Sequence, residues 1–134
     1  MLTLCLLRHA KSSWDDPRQD DFDRPLTKRG TRAASEMGRW LASHDMKPDL
    51  VLCSSAVRTQ ATLALLLREL GAPPPAVEIS GALYLATAGD MLDLVKAVKG
   101  TPGRVLVVGH NPGLHTLALS LIATGERSEI ARLA

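Results

Sequence analysis

Short apolar runs alternating with stretches of helical periodicity constrain this chain more than any other feature. Leu2–Leu7, Leu50–Cys53 and Arg104–Val108 are runs of strand length, and the third, "VLVV", is bounded by Gly103 and Gly109. Between them, apolar residues recur at helical spacing. Ala33, Met37, Trp40 and Leu41 share one face of a helix that Thr27 can cap and that runs to about His44. Leu63, Leu66, Leu67 and Leu70 share one face of a second helix, for which Ser54 and Ser55 offer caps. Val77–Ile79 reads as a short strand. Asp90–Lys99 reads as a helix with Leu92, Val95 and Val98 inward and Asp90 as its cap. Pro112 suits the first turn of a last helix carrying Leu114, Leu117, Ala118 and Leu121. Strands in strict alternation with helices predict an α/β fold with a largely parallel sheet.

At 134 residues the chain is expected to form a single domain over 1–134. Aromatic residues make up only 3% of it, so Leu, Val and Ala must fill the core. A net charge of +2, with both signs interspersed, does not form the clustered basic stripe of a nucleic-acid surface. No apolar run approaches the length of a membrane span, and the N-terminal run is too short for a secretory signal and is interrupted by Arg8. Cys5 and Cys53 lie inside apolar runs and read as buried thiols. A cytoplasmic location and no membrane partner are the expectations.

The strands end in chemically loaded residues. "LCLL" runs directly into Arg8 and His9, the second strand ends at Ser54 and leads to Arg58, and the third ends at Gly109 and His110, followed by "NPG". Ligands of open parallel sheets bind beyond the carboxyl ends of the strands. Two arginines and two histidines would therefore meet at one sheet edge. Guanidinium forks bind phosphoryl oxygens bidentately, one imidazole can attack phosphorus, and a second can donate to an equatorial oxygen. The polar segment Lys11–Arg24, with Pro17 and five Asp residues, is a loop long enough to have a functional role.

Other chemistries fit less well. A cysteine phosphatase would join Cys53 to Arg58 through a phosphate-cradling loop. Here four residues separate them instead of five, and the loop holds no Gly. His110 and His115 are five apart, off the spacing that places two metal ligands on one helix face, so no metal is expected. His44 and His115 read as surface residues, and no glycine-rich nucleotide loop occurs.

The segments "LLRHAKSSW", "DFDRPLTKRG", "SSAVRTQAT", "LYLA" and "VVGHNPGL" together resemble the histidine phosphatase superfamily, and within it the small SixA-like phosphohistidine phosphatase branch. The resemblance covers about residues 2–119. It implies a three-layer α/β/α sandwich of the phosphoglycerate mutase-like type. His9 would be the transiently phosphorylated nucleophile, Arg8 and Arg58 would bind the phosphoryl group, and His110 would be the second active-site histidine. Lys11 and Ser12, next in the chain, are candidate substrate contacts. Asp23, Arg24, Leu26, Thr27 and Gly30 match the family's structural link into the first helix.

Two departures bear on substrate. Ala10 and Lys11 stand where the wider superfamily has Gly and often Glu or Gln. The segment "GALYLATAGD" lacks the Glu with which many relatives protonate an alcohol leaving group. A phosphoramidate needs that acid less, because its ring can already carry a proton. The resemblance thus implies a cofactor-free, metal-independent phosphatase of phosphohistidine on a protein. A phosphatase of small esters and a non-catalytic phosphoprotein-binding module are the alternatives. Relatives also continue with further strands where "ATGERSEIARLA" ends, so a missing C-terminal edge strand or a truncated chain is expected.

Overall fold

A computed structural model describes residues 2–123 and 128–131. Five strands form one parallel sheet in the order β3-β2-β4-β1-β5, where β1 is Thr3–Arg8, β2 Leu50–Ser54, β3 Ala76–Ser80, β4 Arg104–Gly109 and β5 Ser128–Ala131. The helices are α1 (Lys28–Ser43), α2 (Val57–Leu70), α3 (Ala88–Lys96) and α4 (Gly113–Ala123). Short 3-10 turns stand at Asp21–Asp23 and Gly81–Leu83.

The period-two alternation of the strands divides the core into two layers. Leu4, Leu6, Leu50, Leu52, Val105 and Val107 face Met91 and Val95 of α3 and Leu114, Leu117, Ala118 and Leu121 of α4. Cys5, Leu7, Val51, Cys53, Leu106 and Val108 face Leu41 of α1 and Leu63, Leu66 and Leu70 of α2. The expected three-layer sandwich with a parallel sheet is the fold observed.

Local chemistry sets the helix ends. The Thr27 hydroxyl accepts the Gly30 N–H at 2.9 Å and caps α1. The Thr87 hydroxyl accepts the Asp90 N–H at 3.1 Å, so Thr87 rather than Asp90 caps α3 and the helix begins two residues earlier than expected. Ser54 and Ser55 do not cap α2, whose N-cap Ala56 makes no side-chain cap bond. The buried face of α1 is Gly30, Ala34, Gly38 and Leu41, whereas Trp40 is exposed and stacks on His44. At Gly38 a Cβ would lie 2.5 Å from the Leu66 carbonyl oxygen, so α1 and α2 approach as closely as they do only through glycine.

The C-terminal segment corrects an expectation. Residues 128–131 form β5, which pairs in parallel with β1, so an edge strand stands where none was expected.

Candidate active site

The sheet register aligns the functional residues. Arg8 pairs with Gly109, and Cys53 with Val108, so β1, β2 and β4 end level with one another. His9 and His110 each follow a strand by one residue, and their ring centroids lie 5.3 Å apart. The His9 N–H donates to the Gly109 carbonyl at 3.2 Å, which locks the two strand ends together. Behind His9, the Ala10 N–H donates to the Thr62 hydroxyl at 3.0 Å, and Thr62 in turn donates to the Arg58 carbonyl at 2.8 Å. The nucleophile loop is thereby tied to the helix that carries Arg58.

The hydrogen bonds fix the histidine tautomers. His9 Nδ1 lies 2.7 Å from the Ala10 carbonyl oxygen, which can only accept, so Nδ1 carries the proton and Nε2 presents its lone pair. Arg58 Nε donates to that Nε2 at 3.3 Å. Arg58 Nη2 also donates to His110 Nδ1 at 3.3 Å, so the His110 proton sits on Nε2, 2.7 Å from the Ser54 hydroxyl. Burial, and then the charge of Arg58, push His110 down to about 4. His9 is likewise pushed down to about 4 by burial, against the raising effect of its bond to Ala10, with Arg58, Arg8 and Arg24 adding to the depression. Both rings are therefore neutral at physiological pH. A neutral imidazole with an unprotonated Nε2 is the state that attacks phosphorus once Arg58 turns to the phosphoryl oxygens.

Arg58 is 2% exposed and is the hub of the site. Its Nη1 donates to the Asp21 carbonyl at 2.6 Å, and its Nη2 to the Asp21 carboxylate at 3.0 Å. The same carboxylate accepts the Tyr84 hydroxyl at 2.5 Å and Arg24 Nε at 3.1 Å. The Tyr84 hydroxyl first, and then Arg58, hold the Asp21 carboxyl below its ordinary value, and the Asp21 bond raises Tyr84. Arg24 is buried beneath Trp14, with its guanidinium 3.3 Å from the ring centre, and its Nη1 has no hydrogen-bond partner among the described residues.

The structure brings His9, Arg58 and His110 into contact. Arg8 stands exposed at the end of β1 and touches none of them by hydrogen bond, but its charge acts on His9. Lys11 is exposed, and its backbone carbonyl accepts the Thr27 N–H at 2.9 Å. Ser12 is buried and forms an isolated antiparallel bridge with Leu26. A Cβ on Gly30 would lie 2.2 Å from the Lys11 carbonyl oxygen, so Gly30 lets the link into α1 pass directly under the loop. Cys53 is fully buried, and burial pushes its thiol up to about 12, so it offers no thiolate to a phosphate. His44 and His115 are exposed, as expected.

Sequence reasoning missed Asp21, Tyr84, Ser54 and Thr62 as site residues. Asp21 and Tyr84 lie within the segments "DFDRPL" and "LYLA", but they are 63 positions apart, and no local spacing links them. Among the described residues, no group of three or more His, Cys, Asp and Glu side chains could hold a metal ion, and no helix is long and apolar enough to cross a membrane.

Three guanidiniums against one carboxylate, around two neutral imidazoles, suit a tetrahedral oxyanion. An uncharacterized protein of Mycobacterium tuberculosis is 39% identical over 115 residues, covering 86% of this chain and 69% of the relative. The solved structure of a candidate phosphohistidine phosphatase, SixA from Agrobacterium tumefaciens, superposes with a TM-score of 0.82 at 31% identity, covering 90% of this chain and 76% of that one. The protein histidine phosphatase SixA complexed with tungstate superposes with a TM-score of 0.75 at 25% identity, covering 87% and 74%. The family model of the histidine phosphatase superfamily (branch 1) matches residues 4–83, more than half of the sequence, and the chain belongs to that superfamily.

Proposed function

We propose that this chain is a phosphatase that removes the phosphoryl group from phosphohistidine on a protein, without a metal, through a phosphoenzyme on His9. The observation that carries the reading is the His9 Nε2 lone pair, free of its own proton and facing Arg58 and His110 inside a buried site.

In the proposed course the phosphoryl group takes the place between His9, Arg58 and His110. Its oxygens replace His9 Nε2 and His110 Nδ1 as the partners of Arg58. Arg8, exposed at the strand end, swings onto the same oxygens. The His9 Nε2 lone pair then forms a bond to phosphorus in line with the leaving nitrogen, whose bond electrons depart with the substrate ring. Negative charge arriving at the site raises His110, which takes a proton and donates from Nδ1 to an equatorial oxygen. Water attacks the phosphoenzyme in a second in-line step and releases inorganic phosphate.

Phosphohistidine is favoured over an alcohol ester by the segment Gly81–Asp90, which reaches the site through Tyr84 and carries no Glu. The likeness to the SixA structures, one of them holding a tetrahedral oxyanion, supports the same substrate class.

The test is to mix the protein, in the presence of a chelator, with a phosphohistidine peptide and with an aryl phosphate. The peptide is turned over, an acid-labile phosphoenzyme forms, and His9→Ala abolishes both. Arg58→Met loses charge-assisted contacts in a dry pocket worth about 2–4 kcal/mol, which weakens inorganic phosphate binding about 30-fold to 1,000-fold. Normal turnover by His9→Ala would refute the mechanism.

A further inference from the structure

The chain has two Trp, one Tyr and one Phe, and three of these four rings gather at the site. Tyr84 meets His110 edge-on at 5.5 Å, and Phe22 meets Tyr84 edge-on at 5.1 Å. Trp14 covers Arg24, which is bonded to Asp21. Trp14 is 74% exposed and Phe22 36%, so these rings form a rim open to solvent and are not core. A chain this poor in aromatics has placed them where they contribute little to folding. Among the described residues Asp21 is the one carboxylate that bonds Arg58; it stands within the rim, and its side chain is 39% exposed.

The position of Asp21 relative to the two histidines matters. Arg58 reaches the His9 ring through Nε and reaches Asp21 through Nη1 and Nη2. Asp21 therefore stands at the far end of the guanidinium from the nucleophile. In an in-line displacement the leaving group departs on that side.

We propose that Asp21, with Tyr84, Phe22 and Trp14, forms the leaving-group subsite, and that it recognises a flat, protonated nitrogen ring. The proposal rests on the phosphohistidine reading and specifies how the site would select that substrate. When the phosphoryl oxygens occupy Arg58, one Asp21 oxygen is released to accept the N–H of the substrate ring. The ring packs among the aromatic edges and faces, which favour a planar cation. As the His9 Nε2–P bond forms, the ring N–P bond breaks and its electron pair stays on that ring nitrogen. The proton on the other ring nitrogen remains in place, so the ring leaves as neutral imidazole and needs no further acid. Asp21 thus substitutes for a proton donor by keeping the substrate protonated. It also disfavours esters, whose leaving oxygen develops negative charge beside it.

The test compares Asp21→Asn and Phe22→Leu with the unaltered protein on two probes, a phosphohistidine peptide and an aryl phosphate, across pH. Asp21→Asn is expected to lower kcat/KM for the peptide about tenfold and to move the alkaline limb of kcat to lower pH, because the bound ring loses its proton earlier. The same variant lowers the aryl phosphate rate less than the peptide rate, so the ratio of the two falls. Phe22→Leu, at an exposed position that does not hold the fold together, lowers the peptide rate more than the aryl phosphate rate. Equal losses on both probes, with no shift of the alkaline limb, would overturn the proposal and leave Asp21 as a clamp for Arg58. Absence of peptide turnover by the unaltered protein, with the aryl phosphate hydrolysed, would overturn the phosphohistidine reading and the subsite together.

Discussion

The neutrality of His9 and His110 offers the sharpest check on the site's electrostatics. An imidazole whose midpoint lies at about 4 rather than the ordinary 6.5 is about 90% neutral at about pH 5, where an unperturbed one would be about 3% neutral. That thirtyfold difference can be read directly from imidazole nitrogen shifts in a two-dimensional NMR titration. His9 should report a proton on Nδ1, fixed by Ala10, and His110 a proton on Nε2, facing Ser54. Arg58→Met removes a guanidinium that depresses both rings, so both midpoints should rise. Stability follows the same linkage. Between about pH 6.5 and about 4 the unfolded chain binds protons that the folded chain does not, so stability is full above about 6.5 and falls as the pH drops through that window. If His9 titrated near 6.5, or carried its proton on Nε2, the account of its nucleophilicity would be wrong.

Two further outcomes follow from single contacts. Ser54→Ala leaves the buried His110 Nε2–H without its partner, at a cost of roughly 1–3 kcal/mol, and should lower kcat about tenfold with little change in KM; an unchanged kcat would show that Ser54 does not orient His110. Gly30→Ala drives a Cβ onto the Lys11 carbonyl oxygen, a backbone atom with little freedom to move, and should destabilise the chain by about 2 kcal/mol in urea unfolding despite the better helix propensity of Ala; a more stable variant would refute the close approach.

The candidate site was legible in the sequence because its signals are local. A strand advertises itself by apolar residues of the right run length, and in a parallel sheet its carboxyl end is where chemistry collects. "LCLL" before Arg8–His9, and "VLVV" before Gly109–His110, therefore announced both histidines. The helix face of α4 was legible for the same reason, since Leu114, Leu117, Ala118 and Leu121 are buried as their spacing requires. The face of α1 was misread at Trp40 because a large apolar residue at the boundary of a stripe satisfies the period as well as a small one does. The buried stripe instead runs through Gly30, Ala34, Gly38 and Leu41, where small residues let α2 come close. Residues 128–131, only four long and half polar, carried no strand signal, and their place beside β1 comes from pairing with an edge that was otherwise open.

Local signals in the sequence placed β1 to β4, the helices between them and the ends of the central strands, and so put His9, Arg58 and His110 at one edge of the sheet, because each is specified by neighbours within one turn or one strand. Only the tertiary structure decided how those groups are charged and held. The tautomer of His9 depends on the Ala10 carbonyl, that of His110 on Ser54 across 56 positions, and the pose of Arg58 on Asp21 across 37. Desolvation, which keeps both rings neutral, is a property of the packed sandwich and of no residue in it.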